Sequence, residues 1–153
     1  MSGGSARAWR LAGALCGLVV VADQAAKALV EENLALGEHV DLIGSSGLSL
    51  SHNSGVAFGL AAGGGTGLVA LTGLALLVVG YLFARDPARP AMWVAVGLLT
   101  GGALGNLADR IRADAVTDYI SIGSWPNFNL ADVSITAGVI LLALAYTRER
   151  PAQ

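Results

Sequence analysis

Long apolar runs separated by short polar stretches dominate the chain, and their lengths set an architecture before any chemistry is considered. Four runs stand out, at Trp9 to Val30, Leu68 to Ala84, Ala91 to Ala108 and Val133 to Thr147. A bilayer's hydrocarbon core is about 30 Å thick and takes roughly 20 helical residues at about 1.5 Å each. The pattern therefore predicts an all-α membrane protein, a single integral domain over residues 1–153 with four transmembrane helices at about 9–30, 68–84, 91–108 and 133–147. The fourth run is short for a full span, and Phe128, Asn129 and Asp132 are expected to complete its outer end by packing against protein. Between the first two runs, Gly and Ser with alternating Leu48 and Leu50 predict a short strand or hairpin outside the hydrocarbon, a small β-containing connection. Gly63, Gly64, Gly65 and Gly67 mark a loose entry to the second helix.

Charge orients this arrangement. Arg7 and Arg10, Arg85 and Arg89, and Arg148 and Arg150 flank the N-terminus, the second connection and the C-terminus. With an even number of helices all three groups fall on one side, and the bias of basic residues makes that side cytoplasmic. Both termini are expected inside, with Glu31, Glu32, Glu38, Asp41, Asp109, Asp114 and Asp118 in or beside the outer connections. Arg7 and Arg10 before an apolar stretch also resemble a secretory signal, but the run continues to Val30 without a clear small-residue cleavage site, so a retained helix is expected.

Composition narrows the chemistry. Hydrophobic residues make up 54% and charged residues 13% of the chain, about half the charge of a soluble domain, so lipid is its main solvent. The few basic residues are scattered, which argues against a nucleic-acid partner. Cys16 is the only cysteine, which excludes an intrachain disulfide, a CxxC pair or a thiolate zinc site. His39 and His52 lie in the outer connection away from any nucleophile motif, and a carboxylate metal site, though conceivable, lacks H-E-x-x-H or comparable spacing.

Polar residues within the spans carry the functional signal, because an intramembrane Asp, Lys or Arg costs about 2.5 to 3.5 kcal/mol and needs a partner or a purpose. Asp23 and Lys27 are spaced i, i+4 on one helix face, with Gln24 beside them, either as a neutralised structural pair or as part of a substrate site. The third helix ends with Gly101, Gly102 and Gly105, which permit close helix approach, then Asn106, Asp109 and Arg110. Asp23 lies 13 residues from Arg10, roughly 20 Å along the helix, and Asp132 lies 16 from Arg148, roughly 24 Å. Both fall in the outer part of the hydrocarbon.

At least four carboxylates thus gather near one face: Asp23, Asp109, Asp118 and Asp132. Two of them held close in a poorly solvated site would share a proton, leaving one as general base and one as general acid able to activate water against an amide. Residue types and spacing leave open which two. They also leave open a small transporter or channel subunit with an ion or proton path, although such a protein should show inverted repeats or charges along its full depth. A scaffold that binds partners through its glycine-rich helices is a further alternative.

The clusters resemble those of the prolipoprotein signal peptidases, or signal peptidase II, over nearly the whole chain. The resemblance rests on Asp23-Gln24 with Lys27, Asn53-x-Gly55-x-Ala57-Phe58, and Gly101-Gly102-x-x-Gly105-Asn106-x-x-Asp109-Arg110. It continues through Val116-x-Asp118-x-Ile120 and Phe128-Asn129-x-Ala131-Asp132. It implies a membrane aspartyl endopeptidase in which Asp118 and Asp132 are catalytic. It further implies that Asp23, Lys27, Asn53, Gly55, Phe58, Asn106, Arg110 and Asn129 shape the site or bind substrate, and that Asp109 is structural. The implied substrate is a bacterial prolipoprotein whose cysteine carries a diacylglyceryl group, cut just before that cysteine. The resemblance implies neither metal nor organic cofactor. The site is expected toward the extracytoplasmic face of the cytoplasmic membrane, in a monomer surrounded by lipid. Phe58 and its neighbouring glycines are expected to form a mobile cover. Tyr119 stands where the family usually has Phe, Thr117 replaces a common Val, and the stretch from Asp118 to Asp132 is short. These departures bear on loop packing and substrate range rather than on the carboxylates.

Overall fold

The computed structural model describes residues 3–55 and 65–147. Phe58, Gly63, Gly64, Arg148 and Arg150, singled out above, lie outside them. The elements run α1 (Gly3–Asn33), β1 (His39–Ile43), β2 (Ser46–Asn53), α2 (Gly65–Arg85), α3 (Met92–Ala113), β3 (Val116–Ile122) and α4 (Leu130–Thr147). The four expected helices are present, each longer than its apolar run.

Three helices are long and apolar enough to cross a bilayer, at Gly3–Asn33, Thr66–Arg85 and Leu130–Thr147. The fourth, α3, is of similar length, but its glycines and the polar run Asn106, Asp109, Arg110 and Arg112 dilute its apolarity. It extends past residue 108 because Arg110 and Arg112 suit the negative end of the helix dipole, and it stops where Asp114 turns left-handed at φ 55°.

Helix α3 is the axis against which α1, α2 and α4 pack. Close approach depends on glycine. A Cβ on Gly101 would stand 2.9 Å from the Cys16 carbonyl oxygen of α1, and one on Gly138 of α4 would stand 2.7 Å from the Leu99 nitrogen of α3. At the other end of α3, Ala8, Ala12, Val79, Phe83, Met92, Val96 and Leu99 form an apolar core, with the Trp9 and Phe83 rings in tilted contact at 4.5 Å between centroids. Leu18, Val21, Leu71, Leu77, Val139 and Ile140 point outward while Asp23 and Lys27 are buried. Apolar outside and ionic inside is the distribution a bilayer selects.

Gly105 sits directly against the ionic cluster. A Cβ there would lie 2.7 Å from an Asp23 carboxylate oxygen that is itself held in place. Gly105→Ala is therefore expected to lower stability by about 1–3 kcal/mol through overpacking. A thermal midpoint in detergent equal to the parent's would show that α1 and α3 can part there without cost.

The expected strand region is a hairpin, β1 with β2, but it belongs to a three-stranded antiparallel sheet in the order β1-β2-β3. The outer connection after α3, for which the sequence pattern predicts no strand, therefore carries the third strand, β3. It pairs with β2 in the register Ser51↔Asp118, His52↔Thr117 and Asn53↔Val116. Val30, Leu50 and Tyr119 form a second apolar cluster that seats the sheet against the end of α1. Phe128 then bonds back to β3, its carbonyl accepting from the Tyr119 and Ile120 amides at 3.0 and 2.8 Å. This return places Asn129 beside Asp118 immediately before α4 begins.

Candidate active site

A stripe on α1 begins the site. Asp23, Lys27 and Glu31 recur every four residues and so share one face. The Lys27 ammonium, 3% exposed, reaches Asp23 Oδ2 at 2.7 Å, Asp109 Oδ2 at 2.6 Å and Asn106 Oδ1 at 2.9 Å. The other Asp23 oxygen accepts the Ala131 backbone N–H at 2.9 Å, so α1 satisfies an amide in the first turn of α4 that has no helical partner. Gln24 donates to Asp109 Oδ1 at 2.9 Å. At the end of the stripe, Thr117 Oγ donates to Glu31 at 2.6 Å and ties β3 to α1.

Asp118 sits mid-strand in β3, 3% exposed. Its Oδ2 accepts Asn53 Nδ2 at 3.0 Å from β2, and its Oδ1 accepts Asn129 Nδ2 at 2.7 Å. The Asn53 amide is oriented by Gly55, whose N–H donates to Asn53 Oδ1 at 2.9 Å. Gly55 has φ 76°, and a Cβ there would collide with Leu68 of α2, so glycine suits both its backbone and its space.

Asp132 belongs to a reciprocal cap. The Asp132 N–H donates to Asn129 Oδ1 at 2.9 Å, and the Asn129 N–H donates to Asp132 Oδ2 at 3.2 Å, which satisfies two orphan donors at the start of α4. The second Asp132 oxygen accepts Asn106 Nδ2 at 2.8 Å. Asn129, fully buried, is thus bonded to both Asp118 and Asp132.

Burial raises the Asp118 carboxyl above its ordinary pKa, and the Asp132 charge adds to the rise. The hydrogen bonds from Asn53 and Asn129 and the Lys27 charge oppose it. Asp118 therefore keeps a proton to higher pH than an ordinary aspartate, and a reaction that needs one shared proton should lose rate only as pH climbs through that raised value. Because the Asn53 bond lowers the Asp118 pKa, Asn53→Ala is expected to carry the alkaline limb of the rate profile to still higher pH, with kcat several-fold lower. An alkaline limb that stays put or moves down in this variant would separate Asp118 from the titration.

The structure brings together Asp23, Lys27, Asn53, Gly55, Asn106, Asp118, Asn129 and Asp132, and it pairs Asp109 with Lys27. Arg110 stands apart, since its guanidinium donates to the Asn106 carbonyl at 3.4 Å rather than to either acid. Phe58 lies outside the described residues. His39 forms an exposed pair with Asp41. Reading the sequence missed Glu31 and Ser51, whose hydroxyl faces the Asp118 carbonyl at 3.3 Å. The four-residue stripe would have found Glu31; nothing local marks Ser51.

A buried Asp118 and a half-buried Asp132, both bonded to Asn129 at the end of a bundle that is apolar outside, form an arrangement suited to a membrane hydrolase that moves protons between paired carboxylates. The family model described as "Signal peptidase (SPase) II" matches residues 15–148. The lipoprotein signal peptidase of Moorella thermoacetica is 40% identical over 127 residues, covering 82% of this chain and 85% of that one. That of Symbiobacterium thermophilum is 40% identical over 134 residues, covering 83% and 88%. Two solved structures described as bacterial membrane enzymes, determined by the in meso method, superpose with TM-scores of 0.79 and 0.81, each at 30% identity. They cover 91% and 93% of this chain and 94% of each of theirs. The chain belongs to the signal peptidase II family, and it is a bacterial membrane protease.

Proposed function

We propose that Asp118 and Asp132 are the catalytic pair and that the protein removes signal peptides from prolipoproteins bearing a diacylglyceryl cysteine, cutting just before that cysteine. The observation that carries this reading is the buried Asn129, bonded to both carboxylates at once. One carboxylate takes a proton from water as the water oxygen attacks the scissile carbonyl carbon, while the other gives its proton to the carbonyl oxygen. Collapse of the tetrahedral intermediate breaks the C–N bond, and the leaving amine takes back a proton. Asp23, Lys27, Asn53, Gly55, Asn106 and Asn129 hold this geometry, Asp109 balances Lys27, and no metal enters the steps.

The same reading makes α3 the fourth span. Its neighbours α1 and α4 shield its polar end, so it does not need their apolarity. Arg7, Arg10, Arg85 and Arg89 then mark the cytoplasmic side with both termini, and the acids face the extracytoplasmic side. A single domain, residues 1–153, works as a monomer in contact with lipid. A substrate anchored by its own helix and acyl chains arrives in the membrane plane at the level where Asp132 opens α4. The test is cleavage by the purified protein of one prolipoprotein with and without its diacylglyceryl group. Mass spectrometry should find the modified form alone cut, immediately before cysteine; equal cutting of both forms, or of neither, rejects the substrate.

A further inference from the structure

We propose that Lys27 is a positioning residue for the acid pair, acting through the Asn106 amide on Asp132; this rests on the assignment of Asp118 and Asp132 above. An ammonium has three N–H donors and no acceptor. Here the three contacts are Asp23 Oδ2, Asp109 Oδ2 and Asn106 Oδ1. Two carboxylates already neutralise one buried cation, so charge balance does not require the third contact. It is aimed at the amide that faces the reacting acids.

That contact decides which way the amide points. Asn106 Oδ1 accepts from Lys27 at 2.9 Å and from Asn129 Nδ2 at 3.2 Å, which leaves Nδ2 to donate to Asp132 Oδ1 at 2.8 Å. The inverted amide would set its NH2 group against the ammonium and against the Asn129 NH2, and its oxygen against the Asp132 carboxylate. All three contacts would be repulsive. Lys27 thus holds a donor on Asp132 without touching it, and it keeps Asn129 Nδ2 within reach of Asp118 Oδ1. Without the ammonium, one of the three contacts that orient Asn106 is gone, and only Asn129 Nδ2 and Asp132 Oδ1 still hold the amide in place.

A charge-balanced variant tests this. Lys27→Met with Asp109→Asn removes one positive and one negative charge and leaves the cluster's net charge unchanged. Gln24 keeps an oxygen to bond at residue 109. The folded double variant is expected to bind substrate with KM within about threefold of the parent while kcat falls about 10- to 100-fold, the scale of a mispositioned reacting group. Lys27→Arg, which keeps charge and donors, should recover much of that kcat. Asn106→Asp preserves an oxygen for Lys27 but removes the donor to Asp132, so it should lose kcat at similar KM even if the double variant fails to fold.

Unchanged kcat in either the folded double variant or Asn106→Asp overturns the proposal, as does a loss carried wholly by KM. If Asp118→Asn or Asp132→Asn still cleaves, the assignment of the pair fails instead. If those two are inactive while the Lys27 variant keeps parental kcat, only the positioning role falls.

Discussion

Asp118→Asn and Asp132→Asn should each reduce kcat by about 10³-fold, because in the proposed mechanism each removes a group that exchanges a proton with water, carbonyl oxygen or leaving amine. Both changes are isosteric and spare the fold. At position 118 the side-chain oxygen still accepts Asn129 Nδ2, and the displaced Asn53 amide, which is exposed, can turn to water. At position 132 the backbone N–H still donates to Asn129 Oδ1, so α4 remains capped. Thermal midpoints in detergent close to the parent's, with no lipoprotein product on a gel, are the paired readout. More than about a tenth of parental activity in either variant would remove that residue from the chemistry.

Asn129→Ala is the second large effect, and it should strike activity and stability together. The side chain donates to Asp118 and to the Thr117 carbonyl and accepts the Asp132 N–H, so its loss frees the Asp118 carboxyl and uncaps the Asp132 N–H of α4, while the backbone N–H of residue 129 still bonds the Asp132 carboxylate. Losing the cap costs about 1 kcal/mol, and the stranded buried groups add about 1–3 kcal/mol more. We expect kcat to fall about 100-fold. Asn129→Asp separates the two roles, since aspartate caps a helix as well as asparagine but puts a third negative charge between the acids. It should restore much of the thermal midpoint and none of the rate. Recovery of cleavage in Asn129→Asp would show that capping alone is the contribution of this residue.

The helices were legible because each is an apolar run of spanning length, and the ionic stripe was legible because Asp23 and Lys27 are four residues apart. The additional turn of α3 was not, because apolarity ends at Ala108 while helical hydrogen bonding continues through polar residues. Strand β3 was hidden for a different reason. Its partner β2 is about 65 residues away in sequence, and its buried positions include Thr117 and Asp118, which look like loop residues until the register with Ser51 and His52 is known. Spacing identified four candidate acids without choosing among them. The resemblance to signal peptidase II singled out Asp118 and Asp132, and their placement fits it, since Asp23 and Asp109 contact Lys27 while Asn129 bonds both Asp118 and Asp132. One clue did stand in the sequence: Asn129-Leu-Ala-Asp132 has the spacing of a capping box, which ties Asp132 to a helix start.

The cap at the head of α4 also bears on when the protein becomes active. Asp118 and its sheet are made before α4, but the second acid and the amide that joins the pair come only with the final helix. On the proposed assignment, a chain truncated between Asp118 and Asn129 carries only one acid of the pair and no residue that bonds both. On that assignment, hydrolytic competence requires α4 to be in place beside the sheet, because the second acid and its cap both belong to the start of that helix.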